Sequence, residues 1–532
     1  MKMEINKYRF FLNRINNKEG FREALHTPFF VDKSLMIEEV NKRIGTKEKW
    51  LCVSRPRRFG KTMALEMLAA YYTKNVDSED LFYNLNISKS HSYYKHLNAH
   101  NVILINFNDY FDDSNTVHEG ILKLSERLIC DLNAEYPEIL GKTSELSLCL
   151  DMICQATGEK FIVLIDEWDC VFRVKKGKQR EQEEFLNFLR ALFKDKVYLE
   201  LVYMTGILPV KKYNTGSALN MFREFTMLEP KKFASFFGFT ENEIQALCSH
   251  GTEITMDELK DWYNGYNMPG VGDIYNPRSV VEALSENLCQ DYWNRTGGFS
   301  ELEEYITMNF DGLGEMVTRL IAGEAVPINV VGFANDLDSF HDKDEVFTAL
   351  IHLGYLTYKS GTVRIPNREL MTEFADTIKK LSWGTVSYLL NQSRELLKAT
   401  LSAESDKVAQ ILENVHDDME EFKEYNNEHT LKCVIHLAYY AAVDEYDMKY
   451  EYPAGKGYAD CIMIPKKKDL PGIVIELKYN KSAEQAIEQI KNRKYFSDLK
   501  KKVHQILLVG INYDKKTKKH QCMIEKISVY PE

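Results

Sequence analysis

Two groups of residues in this 532-residue chain have the types and spacing for phosphate chemistry. The first is Gly60-Lys61-Thr62, set between the apolar run Trp50-Leu51-Cys52-Val53 and a stretch carrying Met63, Leu65, Met67 and Leu68. Strand, tight loop and helix start, in that order, turn backbone N–H groups and positive potential toward a phosphate. Lys61 is placed for β- and γ-phosphates and Thr62 for Mg²⁺. The downstream partner is Asp166-Glu167, ending the apolar run from Phe161 to Ile165. Asp166 suits Mg²⁺ held through water. Glu167 suits polarising an attacking water, with a supporting salt bridge as its alternative role. Thr205 ends the next apolar run, placed either to sense a γ-phosphate or to cap a turn. Asp169 is a further carboxylate without an assigned role. The loop departs from the usual pattern, because Arg55 stands five positions before Gly60, where glycine is common. Arg57, Arg58 and Phe59 also lie inside the loop. The two arginines can add phosphate charge or face a partner or DNA.

The second group is Asp460, Glu476 and Lys478. Asp460 opens an apolar strand, and Glu476 follows sixteen residues on, a separation that suits adjacent hairpin strands. Alternation directs Glu476 and Lys478 to one face, with Ile475 and Leu477 on the other. Asp460 and Glu476 can share a hard cation through oxygen ligands. Lys478 can orient a water or stabilise charge in the transition state. Glu428, at the start of the preceding helix, offers another carboxylate. A solvated strand edge with a Lys–Glu pair is the bland alternative. Around this group lies a local excess of Lys and Arg, from Lys466 to Lys519, with Tyr479, Tyr495 and Phe496 interleaved. That pattern suits phosphate contact and base stacking, although core packing also explains the aromatics.

Positioning these groups requires particular elements. Continuously apolar runs at Trp50, Val102–Phe107, Phe161–Ile165 and Leu199–Thr205 alternate with helical stretches, which implies a parallel sheet covered on both faces. Ahead of it, Phe29 to Ser34 reads as a short strand and a helix start, with Leu35, Ile37 and Val40 as its apolar stripe. From about Phe233 the chain turns mostly helical. Between Lys343 and Pro366 a helix runs into a hairpin through Lys359-Ser360-Gly361, the outline of a winged helix, with packing favoured over DNA binding as its role. The stretch from Ser382 to Phe422 reads as polar helix. The final segment reads helix, strands, helix, strand, strand.

The formal charge of −11 excludes bulk electrostatics as a nucleic-acid signal, so any basic surface is local. The N-terminus shows no apolar core of signal-peptide length, and no apolar run is long enough to span a bilayer. The ten cysteines are scattered without a C-x-x-C pair, which points to reduced thiols and a cytoplasmic setting.

Arg55-Pro56-Arg57-Arg58-Phe59-Gly60-Lys61-Thr62, after Phe30-Val31-Asp32-Lys33-Ser34, resembles the bacterial AAA-ATPase-like family with its R-P-R-R-F-G-K-[ST] loop. Trp262-Tyr263-Asn264-Gly265-Tyr266, Ile274-Tyr275-Asn276-Pro277-Arg278-Ser279 and Gly354-Tyr355-Leu356-Thr357 resemble further signatures of that family. Asp460, Glu476 and Lys478, with Glu428 as the helical acid and Gln489 and Tyr495 behind, resemble the PD-(D/E)xK nuclease superfamily. The departures there are Tyr458, where Arg or Ile is frequent, and Ala459, which stands before Asp460 in place of Pro.

The resemblance implies an α/β chain: an N-terminal P-loop NTPase parallel sheet over 1–235, a helical and winged-helix-like region over 236–385, and a restriction-endonuclease-like α/β domain over 386–532. It implies ATP and Mg²⁺ at Arg57 to Thr62, Asp166 and Thr205, and Mg²⁺ or Mn²⁺ at Glu428, Asp460 and Glu476. The expected partner is nucleic acid, DNA first, with no membrane and with a homo-oligomer as an option. Arg223 and Arg278 are candidate arginine fingers. The expected function is an ATPase coupled to metal-dependent cleavage of phosphodiesters. The alternatives are a nucleotide-gated binding or signalling switch without cleavage, and a protein-remodelling ATPase.

Overall fold

The structure is a computed structural model. It describes the chain except residues 1–8, 112–115, 211–218, 294–298, 334–336, 338–339, 415–427 and 530–532 and positions 250, 309, 382, 456, 468, 498 and 502. Contacts divide the chain into two compact units, Met1–Thr296 with Pro327–Leu370, and Gly297–Val326 with Met371–Glu532. The sequence suggests three consecutive segments divided after 235 and 385. The contacts join two separated stretches in each unit.

The first unit is built on five parallel strands, β1 (Trp50–Ser54), β2 (Asn101–Asn106), β3 (Phe161–Asp166), β4 (Leu199–Gly206) and β5 (Arg223–Phe225), in the order β2-β3-β4-β1-β5. Leu51, Val53, Ile162, Leu164, Leu201 and Tyr203 form one core cluster with the Lys61–Tyr72 helix. The opposite-facing Ile103, Ile105, Val163, Ile165, Val202 and Met204 are equally buried, as unbroken apolar strands require. The register aligns Ser54 with Gly206 and Ile165 with Met204. Loop 55–60, Thr205 and Asp166-Glu167 therefore meet at one sheet edge. Ahead of the sheet, the Leu35–Asn41 helix buries Met36, Ile37 and Val40 while Leu35 is 44% exposed, so Met36 replaces Leu35 in the expected stripe.

Beyond the sheet, helices Glu241–Cys248 and Met256–Tyr263 each start in a Thr/Glu capping box. A hairpin of β6 (Tyr266–Met268) and β7 (Gly272–Ile274) follows. Asn276 then caps the Pro277–Glu286 helix, with Pro277 at its first turn. The chain re-enters this unit at β8 (Val326–Pro327). The Lys343–Leu353 helix leads to β9 (Thr357–Lys359) and β10 (Thr362–Arg364), an antiparallel hairpin turned by Ser360 and Gly361 with φ of 51° and 87°. The hairpin packs: Asn267 donates its backbone N–H to Thr357 Oγ1 at 2.8 Å and its Nδ2 to the Tyr358 carbonyl at 3.1 Å.

The second unit holds β11 (Tyr446–Ala454), β12 (Gly457–Pro465), β13 (Gly472–Tyr479), β14 (Gln505–Asp514) and β15 (Lys519–Ser528) in that order. Only β13 and β14 pair in parallel, joined through the Ala483–Arg493 helix. That helix stops at Arg493, because Lys494 takes a left-handed φ of 55°. The polar helical stretch expected from Ser382 divides into Gly384–Ser402 and Ser405–Glu413, broken at Ala403 with φ 60°.

At Asp460 the sheet is irregular. The β11–β12 ladder pairs Tyr450 with Cys461 and Tyr452 with Ala459, and omits Glu451 and Asp460 between them. Glu451 has φ 44°. Ala459 and Ile462, three residues apart, enter the same core cluster, so the side-chain alternation turns over at Asp460. The β12–β13 ladder runs only from Cys461–Ile475 to Met463–Ile473. Asp460 and Glu476 thus lie where the two strands separate.

Candidate functional site

Gly60, with φ 86°, ends the loop and starts the Lys61–Tyr72 helix, a conformation that a side chain disfavours. Thr62 Oγ1 donates to Asp166 Oδ2 at 2.8 Å, bringing together the hydroxyl and the carboxylate expected at Mg²⁺. Burial raises the Asp166 carboxyl to about 6 despite that hydrogen bond. Lys61 is 6% exposed, donates to the Pro56 carbonyl at 2.9 Å, and is lowered by burial. Glu167 sits at a left-handed φ of 53°, a strained backbone for glutamate, and pairs with Arg173. Asp169 accepts from the Ile207 and Leu208 amides at 3.0 and 2.9 Å, which gives it a structural role. Thr205 is fully buried and donates to the Val53 carbonyl at 3.0 Å, so its hydroxyl ties β4 to β1.

The side chains of Arg55, Arg58 and Phe59 have protein partners of their own. Arg55 is fully buried, with Nη1 donating to the Ser54 and Phe225 carbonyls at 2.8 and 2.7 Å and Nη2 to Phe233 at 3.2 Å. Its guanidinium lies 5.1 Å from the Phe237 ring, and burial lowers it to about 10. Arg58 donates to the Tyr292 carbonyl at 2.9 Å and lies 5.6 Å from the Trp293 ring. Phe59 is 1% exposed, edge-on to Tyr266 at 5.0 Å. Tyr266 in turn donates to the Gly354 carbonyl at 3.0 Å, and a Cβ on Gly354 would meet Pro56 at 2.6 Å. The separate sequence signatures thus form one clamp around the loop. Arg58 and Phe59, which the sequence suggests at the phosphates, line the cavity beside Lys61 and also anchor the loop.

The clamp contains a buried acid that sequence reading missed. Glu369 accepts from the Tyr292 and Trp293 amides at 2.9 and 3.0 Å and from Ser279 Oγ at 2.9 Å, and burial raises it to about 8. A raised carboxyl lends stability that is complete below its ordinary value and is lost as pH rises through the folded value. The span from 4.5 to about 8 is worth roughly 5 kcal/mol. Glu369→Gln keeps an oxygen for both amides and a donor for Ser279. Its melting temperature is expected to fall less than the wild type's between pH 5 and 9; parallel pH profiles would contradict the assignment.

A cavity of about 490 Å³ opens on Gly60, Lys61, Thr62 and Glu167. Phe29, Phe30 and Val31 wall one part of it and Phe236, Phe239 and Val281 another, with Arg57 and Arg278 also lining it. Lys33 fastens the Phe29–Val31 wall by donating to the Ser235 carbonyl at 2.8 Å and pairing with Glu243 at 2.7 Å. Arg278 pairs with Glu282 at 2.6 Å, and Arg223 pairs with Glu48 at 2.7 Å.

In the second unit, Asp460 Oδ2 accepts the Leu477 amide at 2.8 Å. Glu476 is 3% exposed; its Oε1 accepts from Lys478 Nζ at 2.8 Å and from Gln489 Nε2. Gln489 also contacts Tyr495 Oη at 3.3 Å, so the Gln–Tyr pair on and after the helix orients Glu476. Burial first, and then Asp460, raise the Glu476 carboxyl to about 7. Its Oε2 is buried with no hydrogen-bond partner, which is the state of an oxygen suited to a cation. Glu428 opens the Glu428–Ala438 helix, but its side chain lies outside the described residues. Tyr495 and Phe496 belong to the core, and Tyr479 packs on Tyr513 at 5.9 Å. The exposed aromatic here is Tyr458, at 67%. Lys432, which sequence reading also missed, lies 3.2 Å from Asp460 Oδ1.

The parallel sheet, Gly60 loop and Thr62–Asp166 pair define a P-loop NTPase, joined in one chain to a nuclease-like α/β fold. Residues 20–215 match the family described as predicted AAA-ATPase, and residues 426–522 match the PD-(D/E)XK nuclease superfamily. An uncharacterized protein in the vnfD 5′ region of Azotobacter chroococcum mcd 1 is 26% identical over 265 residues, 48% of this chain and 49% of that protein. The chain therefore spans about half the length of the curated relative it matches. The Walker-type ATPase paby2304 of Pyrococcus abyssi aligns with a TM-score of 0.34 at 14% identity, covering 64% of this chain and 94% of that one. The ORC2 protein of Aeropyrum pernix, in ADPNP–ADP complexes, aligns with a TM-score of 0.29 at 13% identity, covering 69% and 95%. Among the described residues no helix is long and apolar enough to cross a membrane.

Proposed function

We propose that the chain is an ATP-hydrolysing, metal-dependent nuclease of the cytoplasm, acting on nucleic-acid phosphodiesters with DNA as the first substrate. The observation that carries the cleavage reading is the buried, partnerless Glu476 Oε2 beside Asp460 and Lys478. Thr62 and Asp166 would hold Mg²⁺ with ATP, and Asp460 and Glu476 would hold Mg²⁺ or Mn²⁺. The bound cation supplies Lewis-acid stabilisation of phosphate charge. Lys61 leaves the Pro56 carbonyl for the phosphates, and Glu167 leaves Arg173 to take a proton from water. Lys478 steadies the water that attacks the scissile phosphorus as the P–O bond to the leaving sugar breaks. Arg57, Arg278, Lys466, Lys467 and Lys481 are exposed or line the nucleotide cavity, and supply phosphate contacts. Ten free cysteines fit a reducing compartment.

A second reading, a nucleotide-gated switch without cleavage, is favoured by one observation: Lys432 and Lys478 already balance both carboxylates. The test is ATP binding and plasmid cleavage with Mg²⁺ or Mn²⁺, with and without ATP. Lys61→Ala is expected to weaken ATP at least about tenfold, and Asp460→Asn to remove cleavage with ATP binding intact. Cleavage that survives Asp460→Asn overturns the proposal; ATP binding without cleavage on any substrate selects the switch.

A further inference from the structure

Lys432 lies on the Glu428–Ala438 helix. Its ammonium is 3.2 Å from Asp460 Oδ1 and 3.1 Å from Glu451 Oε1. The Lys432 side chain is 21% exposed and that of Asp460 12%, so the pair is shielded but reaches solvent. Asp460's other oxygen is held by the Leu477 amide. Across the site, Lys478 holds Glu476 Oε1 at 2.8 Å. Each carboxylate therefore has its own ammonium, and these four groups sum to zero charge.

A divalent cation bridging Asp460 and Glu476 needs carboxylate oxygen at about 2–2.5 Å, and an ammonium on the same carboxylate repels it. The Lys478 contact leaves Glu476 Oε2 open, whereas Lys432 covers the Asp460 oxygen that the backbone does not use. Lys432 also has somewhere to go. Glu451, 73% exposed beside it, remains a partner for the ammonium once it leaves Asp460. The irregularity at Glu451 and Asp460 is what brings both carboxylates within reach of one lysine.

We infer that Lys432 is a built-in competitor for the divalent cation, occupying Asp460 until the cation displaces it. This rests on Asp460 and Glu476 being the cation ligands. A structural ion pair makes the opposite prediction, since its loss would disorder Asp460 and weaken metal binding.

The test is Mn²⁺ titration of the full-length, nucleotide-free chain, followed by the electron paramagnetic resonance signal of free Mn²⁺. Each variant is compared with its Asp460→Asn counterpart, which isolates this site from the one at Thr62 and Asp166. Lys432→Met is expected to tighten Asp460-dependent binding about tenfold or more. Lys432→Arg, whose guanidinium grips carboxylate in a fork, is expected to bind no tighter than wild type. Lys432→Gln keeps a hydrogen bond without charge and replaces the Met variant if that one loses its fold. Unchanged or weaker Mn²⁺ binding in the neutral variant, still dependent on Asp460, overturns the competitor role and leaves the cation site standing. Absence of Asp460-dependent binding in wild type and neutral variant alike overturns the cation reading and the competitor role together.

Discussion

Lys478→Met is expected to lower Mg²⁺- or Mn²⁺-dependent cleavage of DNA roughly 100- to 1,000-fold while leaving DNA binding at low salt near its wild-type level. Met matches the length and apolar stem of Lys, so packing beside Glu476 survives and only the charge goes. Two effects then add. The transition state loses a cation placed 2.8 Å from Glu476. Glu476, already raised to about 7 by burial, loses its nearest counter-charge and holds its proton more firmly, so less of it is ionised to bind metal. The loss is therefore expected to be largest near neutral pH and to shrink as pH rises. Single-turnover cleavage measured from pH 6.5 to 9 checks both features. Equal cutting by wild type and variant at every pH would remove Lys478 from the chemistry.

Arg55→Met is expected to destabilise the first unit by roughly 3 kcal/mol, seen as a lower denaturation midpoint. Opposing effects decide the size. Replacing the guanidinium relieves the burial of a charge that no carboxylate among the described residues offsets. It also takes a donor from the carbonyls of Ser54 and Phe225, a carbonyl left without one costing about 1–3 kcal/mol, and one of two donors from that of Phe233. These losses outweigh the one relief. Arg55→Gly, which restores the commoner loop residue, is expected to be less stable still, because it adds a cavity. Neither variant is expected to improve ATP affinity, since the Arg55 side chain faces the protein body. A gain in ATP affinity on Arg55→Gly would show that the arginine obstructs the phosphate cradle.

Short-range chemistry was readable from residue order alone. The apolar runs through Leu51, Val163 and Val202 carry enough β-branched and aliphatic residues to demand a sheet covered on both faces. Gly60-Lys61-Thr62 between a strand and a helix leaves little choice about where the helix starts. Glu476 and Lys478, two apart in a strand, meet as alternation requires. The Arg58 and Phe59 side chains were harder, because a loop arginine or aromatic is equally suited to a ligand or to a wall. Their partners Tyr292 and Tyr266 lie more than two hundred residues away, and no local pattern connects them. Glu369 was invisible for the same reason: its burial depends on Ser279 and two amides brought in by folding.

The sequence by itself determined the two candidate sites of this chain and the elements that present them, because backbone hydrogen bonding, apolar periodicity and turn residues act over a few positions. Only the tertiary structure decided how each charge is spent. Arg55 goes to carbonyls, Asp169 to the Ile207 and Leu208 amides, Glu167 to Arg173 and Asp460 to Lys432. The physical reason is that the worth of a charged side chain is set by desolvation and by partners distant in sequence, and both exist only once the chain is folded.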